Sequence, residues 1–113
     1  MFVYEKKLQY PVRIKNTNPA LAKFIISQYG GPDGELGASI RYLSQRYAMP
    51  YPELKGLLTD IGTEELGHLE MIGTIVHQLT RSMTPEQIKK AGYDAYFVDH
   101  TAGIYPTAAS GTP

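Results

Sequence analysis

The stretch that most constrains this chain runs from Tyr51 to Arg81, where Leu58, Ile61, Glu65, His68, Ile72, Ile75 and Leu79 recur at alternating steps of three and four. That interval marks one packing face of a single helix. At ~1.5 Å per residue the helix is about 45 Å long, which is long for a globular domain. Two of the positions on its face carry ionisable side chains. An unpaired charge on a packing face is costly, so whatever this helix packs against has to compensate Glu65 and His68.

The punctuation around it predicts an all-α chain. Residues 1 to 18 read as extended, closed by Pro11 and Asn16. Asn18-Pro19 is a cap followed by a first-turn proline; it opens a short helix, "ALAKFIISQY", that ends at Gly30-Gly31. Pro32 opens a second helix running to about Ala48, with Asp33 and Glu35 at its positive end. "MPYPE" interrupts it, because a helix interior does not accept two prolines so close together. The third helix spans about Pro52 to about Arg81. Thr84-Pro85-Glu86-Gln87 is a capping box for a short fourth helix ended by Gly92. From Tyr93 onward periodicity is lost, and 93–113 reads as an irregular tail or linker. The 113 residues correspond to a single domain.

Composition removes several function classes. Eleven basic and eleven acidic residues cancel, with no run of like charge, which argues against nucleic acid and acidic membrane surfaces as partners. The absence of cysteine excludes disulfides and thiolate metal sites. No apolar run approaches the ~20 residues of a membrane span, and the N-terminus has no secretory apolar stretch. The expectation is a protein that is neither transmembrane nor secreted.

Glu65 and His68 are three apart and project from one side of the helix, so a carboxylate oxygen and an imidazole nitrogen can reach one metal ion. Glu35, Ala38, Tyr42 and Gln45 repeat the same spacing on the preceding helix. If the two helices pack antiparallel, Glu35 lies about 14 residues before the turn and Glu65 about 13 after it, hence at one height. A Glu facing Glu-x-x-His on a neighbouring helix is half of the dinuclear carboxylate site of ferritin-like bundles, and this donor set suits manganese or iron. The same spacing also suits a buried Glu–His ion pair. Tyr42 reads either as a hydrogen-bond donor to a ligand carboxylate or as a core tyrosine. Glu64, four residues from His68, reads as flanking, His77 as a surface or packing residue, and Asp60 as solvated; His100 is assigned no role. "GGPDGE" lacks the strand and the Lys-Ser/Thr of a phosphate loop.

"KLQYPV", "QYGGPDGELGA", "YLSQRY" and above all "LLTDIGTEELGHLEMI" closely resemble the N-terminal half of the manganese catalases, and within them the spore-coat proteins of the CotJC type. The resemblance runs from Met1 to the loop after Gly92. It implies a ferritin-like four-helix-bundle half, made of two long antiparallel helices with short flanking helices. It implies Glu35 as a terminal ligand of one manganese, Glu65 as the carboxylate bridging two ions, His68 as a ligand of the same ion as Glu35, and Tyr42 as an outer neighbour. The family reaction is disproportionation of hydrogen peroxide to water and dioxygen, with two manganese ions per complete site alternating between the +2 and +3 states; iron is the alternative metal. Spore coat or cytoplasm is the location implied, and other coat proteins are implied partners.

One departure matters. The family supplies a second Glu and a second Glu-x-x-His from two later helices, and no other Glu-x-x-His occurs here. The chain is therefore expected to need either a C-terminal half chain or a second copy, as a homo-oligomer, to complete its site. A structural coat component with a vestigial or stabilising site, and a ferritin-like metal-binding module, are the competing readings.

Overall fold

The Asn18 side chain accepts the backbone N–H of Leu21 at 3.0 Å, and with Pro19 in the first turn it starts α1 (Pro19–Ile25). In the computed structural model, which describes residues 3–5 and 7–92, α1 tightens into a 3-10 turn at Ile26–Gln28. Then come α2 (Glu35–Gln45), a second 3-10 turn at Arg46–Ala48, α3 (Pro52–Thr80) and α4 (Pro85–Lys90). No strand forms among the described residues. The irregular tail expected from Tyr93 lies outside them.

Contacts between α2 and α3 run in opposite sequence order: Glu35 meets His68, Ser39 meets Gly62, and Arg46 meets Thr59. The pair is thus the antiparallel hairpin that the spacing predicts. Its crossing is tight. Ser39, 2 % exposed, donates its hydroxyl to the Gly62 carbonyl at 2.7 Å, and a Cβ built on Gly62 would stand 2.8 Å from two carbons of the Leu43 side chain. Gly62 therefore gives up side-chain volume so that Leu43 and the α2 backbone can settle against α3.

At the other end of α3, Val76 and Leu79 are buried against Ala22 of α1, with Ile14, Ile25, Ile26, Ile72, Ile75, Ile88 and Ala91 packed around them. α4 is started by its capping box, in which Thr84 and Gln87 exchange side-chain to backbone hydrogen bonds, and Ile88 and Ala91 pack it against this cluster. The extended N-terminal segment straps the outside of α3. Tyr4 donates to Glu70 at 2.6 Å, Gln9 donates to Glu64 at 2.9 Å, and the Gln78 amide serves two backbone groups, accepting from the Ile14 N–H and donating to the Val12 carbonyl.

Two expectations need adjustment. α2 begins at Glu35 instead of Pro32, because Gly34 is extended at φ −97° and ψ 173° and the Gly34 N–H turns back to the Gly31 carbonyl. More consequentially, the α3 stripe is not a buried face. Leu79 is buried, whereas Leu58, Ile61, Glu65, His68, Ile72 and Ile75 are half-buried, because among the described residues one long helix lies alongside α3.

The packing predicts opposite signs for one chemical change at two sites in α3. Gly62→Ala should lower stability by about 1 kcal/mol, since overpacking costs about 1–3 kcal/mol and exceeds the helix-propensity gain of about 1 kcal/mol. Gly56, whose added Cβ meets nothing within 4 Å, should gain about 0.5–1 kcal/mol on the same substitution. Urea unfolding of both variants measures the pair, and a stabilising Gly62→Ala would show that the crossing has slack.

Candidate metal centre

Glu35 stands in the first turn of α2, one turn before Ser39. Glu65 stands one turn and His68 nearly two turns beyond Gly62 on α3. The Ser39–Gly62 contact thus brings these three side chains to one level, with one ligand atom from each lying within 4.8 Å of the others. His68 Nδ1 is 3.2 Å from a Glu65 carboxylate oxygen and 3.9 Å from one of Glu35. Glu65 is the most enclosed of the three, its side chain 13 % exposed against 29 % for Glu35 and 31 % for His68.

The electrostatics describe a cluster with surplus negative charge. Glu35 is held above its ordinary carboxylate value of 4.5, first by a hydrogen bond to the Glu65 carboxylate, then by burial and by the Glu65 charge, with the His68 ring acting in the opposite direction. Two carboxylates this close share a proton unless a cation replaces it. Carboxylate oxygens with one imidazole nitrogen are hard-to-borderline donors suited to manganese or iron, so the residues fit such an ion. A polar recess lined by Gln28, Asp33, Gly34, Ala38 and Arg41 opens beside Glu35 and gives it access to solvent.

Of the remaining residues singled out by spacing, Tyr42 is half-buried on α2. Glu64 is exposed and bonded to Gln9, and His77 is exposed. His100 lies outside the described residues. Sequence reasoning missed Ser39, Gly62 and the strap residues Tyr4, Gln9 and Gln78. A small residue beside each facing stripe, Ser39 next to Ala38 and Gly62 next to Ile61, was the available signal for the first two. Nothing local announces the strap, whose contacts join residues 55 to 66 positions apart.

Comparison with known proteins agrees with the geometry. The model of the manganese-containing catalase family matches residues 1–109. The chain belongs to the manganese catalase family. Protein CotJC of Bacillus subtilis (strain 168) is 56 % identical over 113 residues, covering 100 % of this chain and 59 % of that protein. A manganese catalase of Lactiplantibacillus plantarum is 38 % identical over 109 residues, 94 % of this chain and 40 % of that protein. The crystal structure of wild-type KatB, a manganese catalase from Anabaena, superposes with a TM-score of 0.78 at 29 % identity, covering 99 % of this chain and 50 % of that chain. This member of the manganese catalase family thus spans about half the length of the relatives it matches, and with its helical fold it shares their ferritin-like class.

Raised protonation of Glu35 carries a sign. A group whose folded pKa is raised stabilises the fold below its unfolded value, and that contribution disappears as pH rises through the folded value. In the metal-free chain, wild type should therefore lose stability relative to Glu35→Gln as pH climbs above about 4.5. Added manganese should reverse the loss while releasing a proton. Thermal melting of both proteins across pH, with and without manganese, reads this out; parallel curves would mean the two carboxylates do not interact.

Proposed function

We propose that this chain supplies one half of a dinuclear manganese site that disproportionates hydrogen peroxide to water and dioxygen. The observation that carries the reading is the cluster itself: Glu35, Glu65 and His68 from two helices, within 4.8 Å of one another, in a chain of the manganese catalase family. In this reading Glu35 and His68 hold one ion and Glu65, the most enclosed carboxylate, reaches both. Bound there, a manganese pair would supply two-electron redox chemistry between the +2 and +3 states, which suits peroxide because it avoids one-electron products.

The chain's own residues have definable tasks. The Ser39–Gly62 contact fixes the height of Glu35 relative to Glu65 and His68. The strap keeps Glu64 and Glu70 occupied with Gln9 and Tyr4, so that they do not compete for the ion. The recess beside Glu35 lets a molecule as small as peroxide approach from solvent. Tyr42 is proposed as an outer neighbour that comes to donate its hydroxyl to the ligand carboxylates once they are charged and metal-bound. Three ligands serve one ion, and a second ion would take further ligands from two more helices, such as a C-terminal half or a second copy would provide. The spore coat is the proposed location, on the strength of the similarity to CotJC.

In the completed protein, Glu65→Ala and His68→Ala should each remove bound manganese and reduce peroxide turnover by at least about 100-fold, since loss of a ligand disables the site that outer neighbours only tune by about 10–100-fold. Tyr42→Phe should retain manganese and lower turnover about 10-fold or less. Metal analysis beside oxygen evolution tests this. Full manganese content in both ligand variants would reduce the cluster to a Glu–His ion pair, and turnover with iron but not manganese would assign the other metal.

A further inference from the structure

We propose that Arg41 is a positioning residue for Glu35: it ties the glycine loop that precedes α2 to the helix, and so fixes the turn on which Glu35 stands. The inference rests on the metal reading above and adds to it the device that sets one of the three ligands.

Glu35 needs such a device more than its partners do. Glu65 and His68 lie in the interior of α3 (Pro52–Thr80), where helical hydrogen bonds hold the backbone on both sides of them. Glu35 is the first residue of α2, and the opening N–H groups of a helix have no partner within it. A side-chain cap ordinarily supplies one, but the residue at the cap position is Gly34 and no side chain caps α2. The Leu36 N–H reaches back to the Tyr29 carbonyl at 3.4 Å, which is long for such a bond. Held by these contacts alone, the first turn would fray and carry Glu35 away from Glu65 and His68.

The loop supplies what a cap would. Gly31 takes φ +73°, a conformation open to glycine, and the chain folds back over the start of α2. A Cβ on Gly37 would run into the Gly31 carbonyl oxygen, and one on Gly34 into the Gly30 backbone. The loop therefore lies directly against the turn that carries Glu35. At the start of the loop, a ring carbon of Tyr29 lies 2.7 Å from where a Cβ on Gly73 would stand, which seats the loop on α3 beyond His68. Along α3, the Ser39–Gly62 and Tyr29–Gly73 contacts thus stand on either side of Glu65 and His68. Arg41 closes the arrangement. Its Nη2 donates to the Pro32 carbonyl at 2.8 Å, nine residues back along the chain, at the rim of the recess that Asp33, Gly34 and Glu35 also line. Proline has no N–H to anchor it, so the carbonyl is the one backbone group by which Pro32 can be held, and a guanidinium makes that bond charge-assisted.

The test compares Arg41→Met, Arg41→Lys and Gly37→Ala in the full chain. Amide hydrogen exchange is followed without metal, and manganese affinity is read from the free-manganese resonance signal. Arg41→Met should speed exchange of the Ala38 amide, which donates to the Gly34 carbonyl at 2.9 Å, by about 10-fold, with the α3 amides around Glu65 unchanged. It should also weaken manganese binding by about 10-fold, the lower end for a group that orients a ligand. Arg41→Lys, which keeps the charge and a donor, should recover most of both losses. Gly37→Ala leaves the Arg41 charge in place and displaces the loop, so it should reproduce both effects although alanine favours a helix. Unchanged manganese affinity in Arg41→Met overturns the positioning role and leaves the metal reading standing, as does exchange that quickens equally in α2 and α3. Loss of affinity in Arg41→Met but not in Gly37→Ala overturns it in favour of a direct effect of charge. A wild type that takes up no manganese overturns the metal reading and the positioning role together.

Discussion

The Glu35–Glu65–His68 cluster depends on how closely α2 approaches α3 at Gly62. Helix axes ordinarily lie 8–10 Å apart, set by the side chains at the contact. Here the contact is a serine hydroxyl on a backbone carbonyl, with leucine carbons occupying the space a Cβ would take. The clamp is one turn from Glu35 on one helix and one turn from Glu65 on the other, too short a lever for either carboxylate to drift. A larger residue at position 62 would meet the Leu43 side chain and press the helices apart close to the cluster. Close backbone approach is the condition on which the site is built.

The strap performs a different service. α3 carries Glu64, Glu65 and Glu70 within two turns of His68, and spacing alone gives Glu64 as good a claim on that histidine as Glu65 has. Tyr4 and Gln9 resolve the ambiguity by engaging Glu70 and Glu64 on the outer side. The Tyr4 phenol is correspondingly held above its ordinary value of 10.0, chiefly by its bond to the Glu70 carboxylate. Glu65 remains as the carboxylate turned to Glu35 and His68. Selection among the three comes from which neighbours each one faces.

Much of this was legible in the residues. The bounds of α3, the cap at Asn18, the capping box at Thr84 and the level match of Glu35 with Glu65 follow from period, proline and rise per residue, which are local properties. Burial was not legible, because a stripe records which side a helix packs on and says nothing about how many partners lie there; among the described residues α3 has one long partner helix where a full bundle provides more. The start of α2 was misplaced by three residues because Gly34 adopts an extended conformation that Pro32 and Asp33 do not announce. Ser39 was not singled out, since its value lies in a carbonyl 23 residues away. The strap is invisible locally for the same reason, because long-range hydrogen bonds leave no periodic trace.

The Gln78 amide, which reads the Val12 carbonyl and the Ile14 N–H across separations of 66 and 64 residues, has a consequence for the order in which the molecule assembles. Closing that loop costs about 1 kcal/mol more chain entropy than closing the 23-residue loop between Ser39 and Gly62, and contacts of low sequence separation form faster. The hairpin that carries Glu35, Glu65 and His68 is therefore the natural nucleus. The N-terminal segment, although synthesised first, is expected to dock last, on a helix already formed. Until it does, Glu64 and Glu70 remain unengaged, and Glu65 is set apart from its two acidic neighbours only when folding is complete.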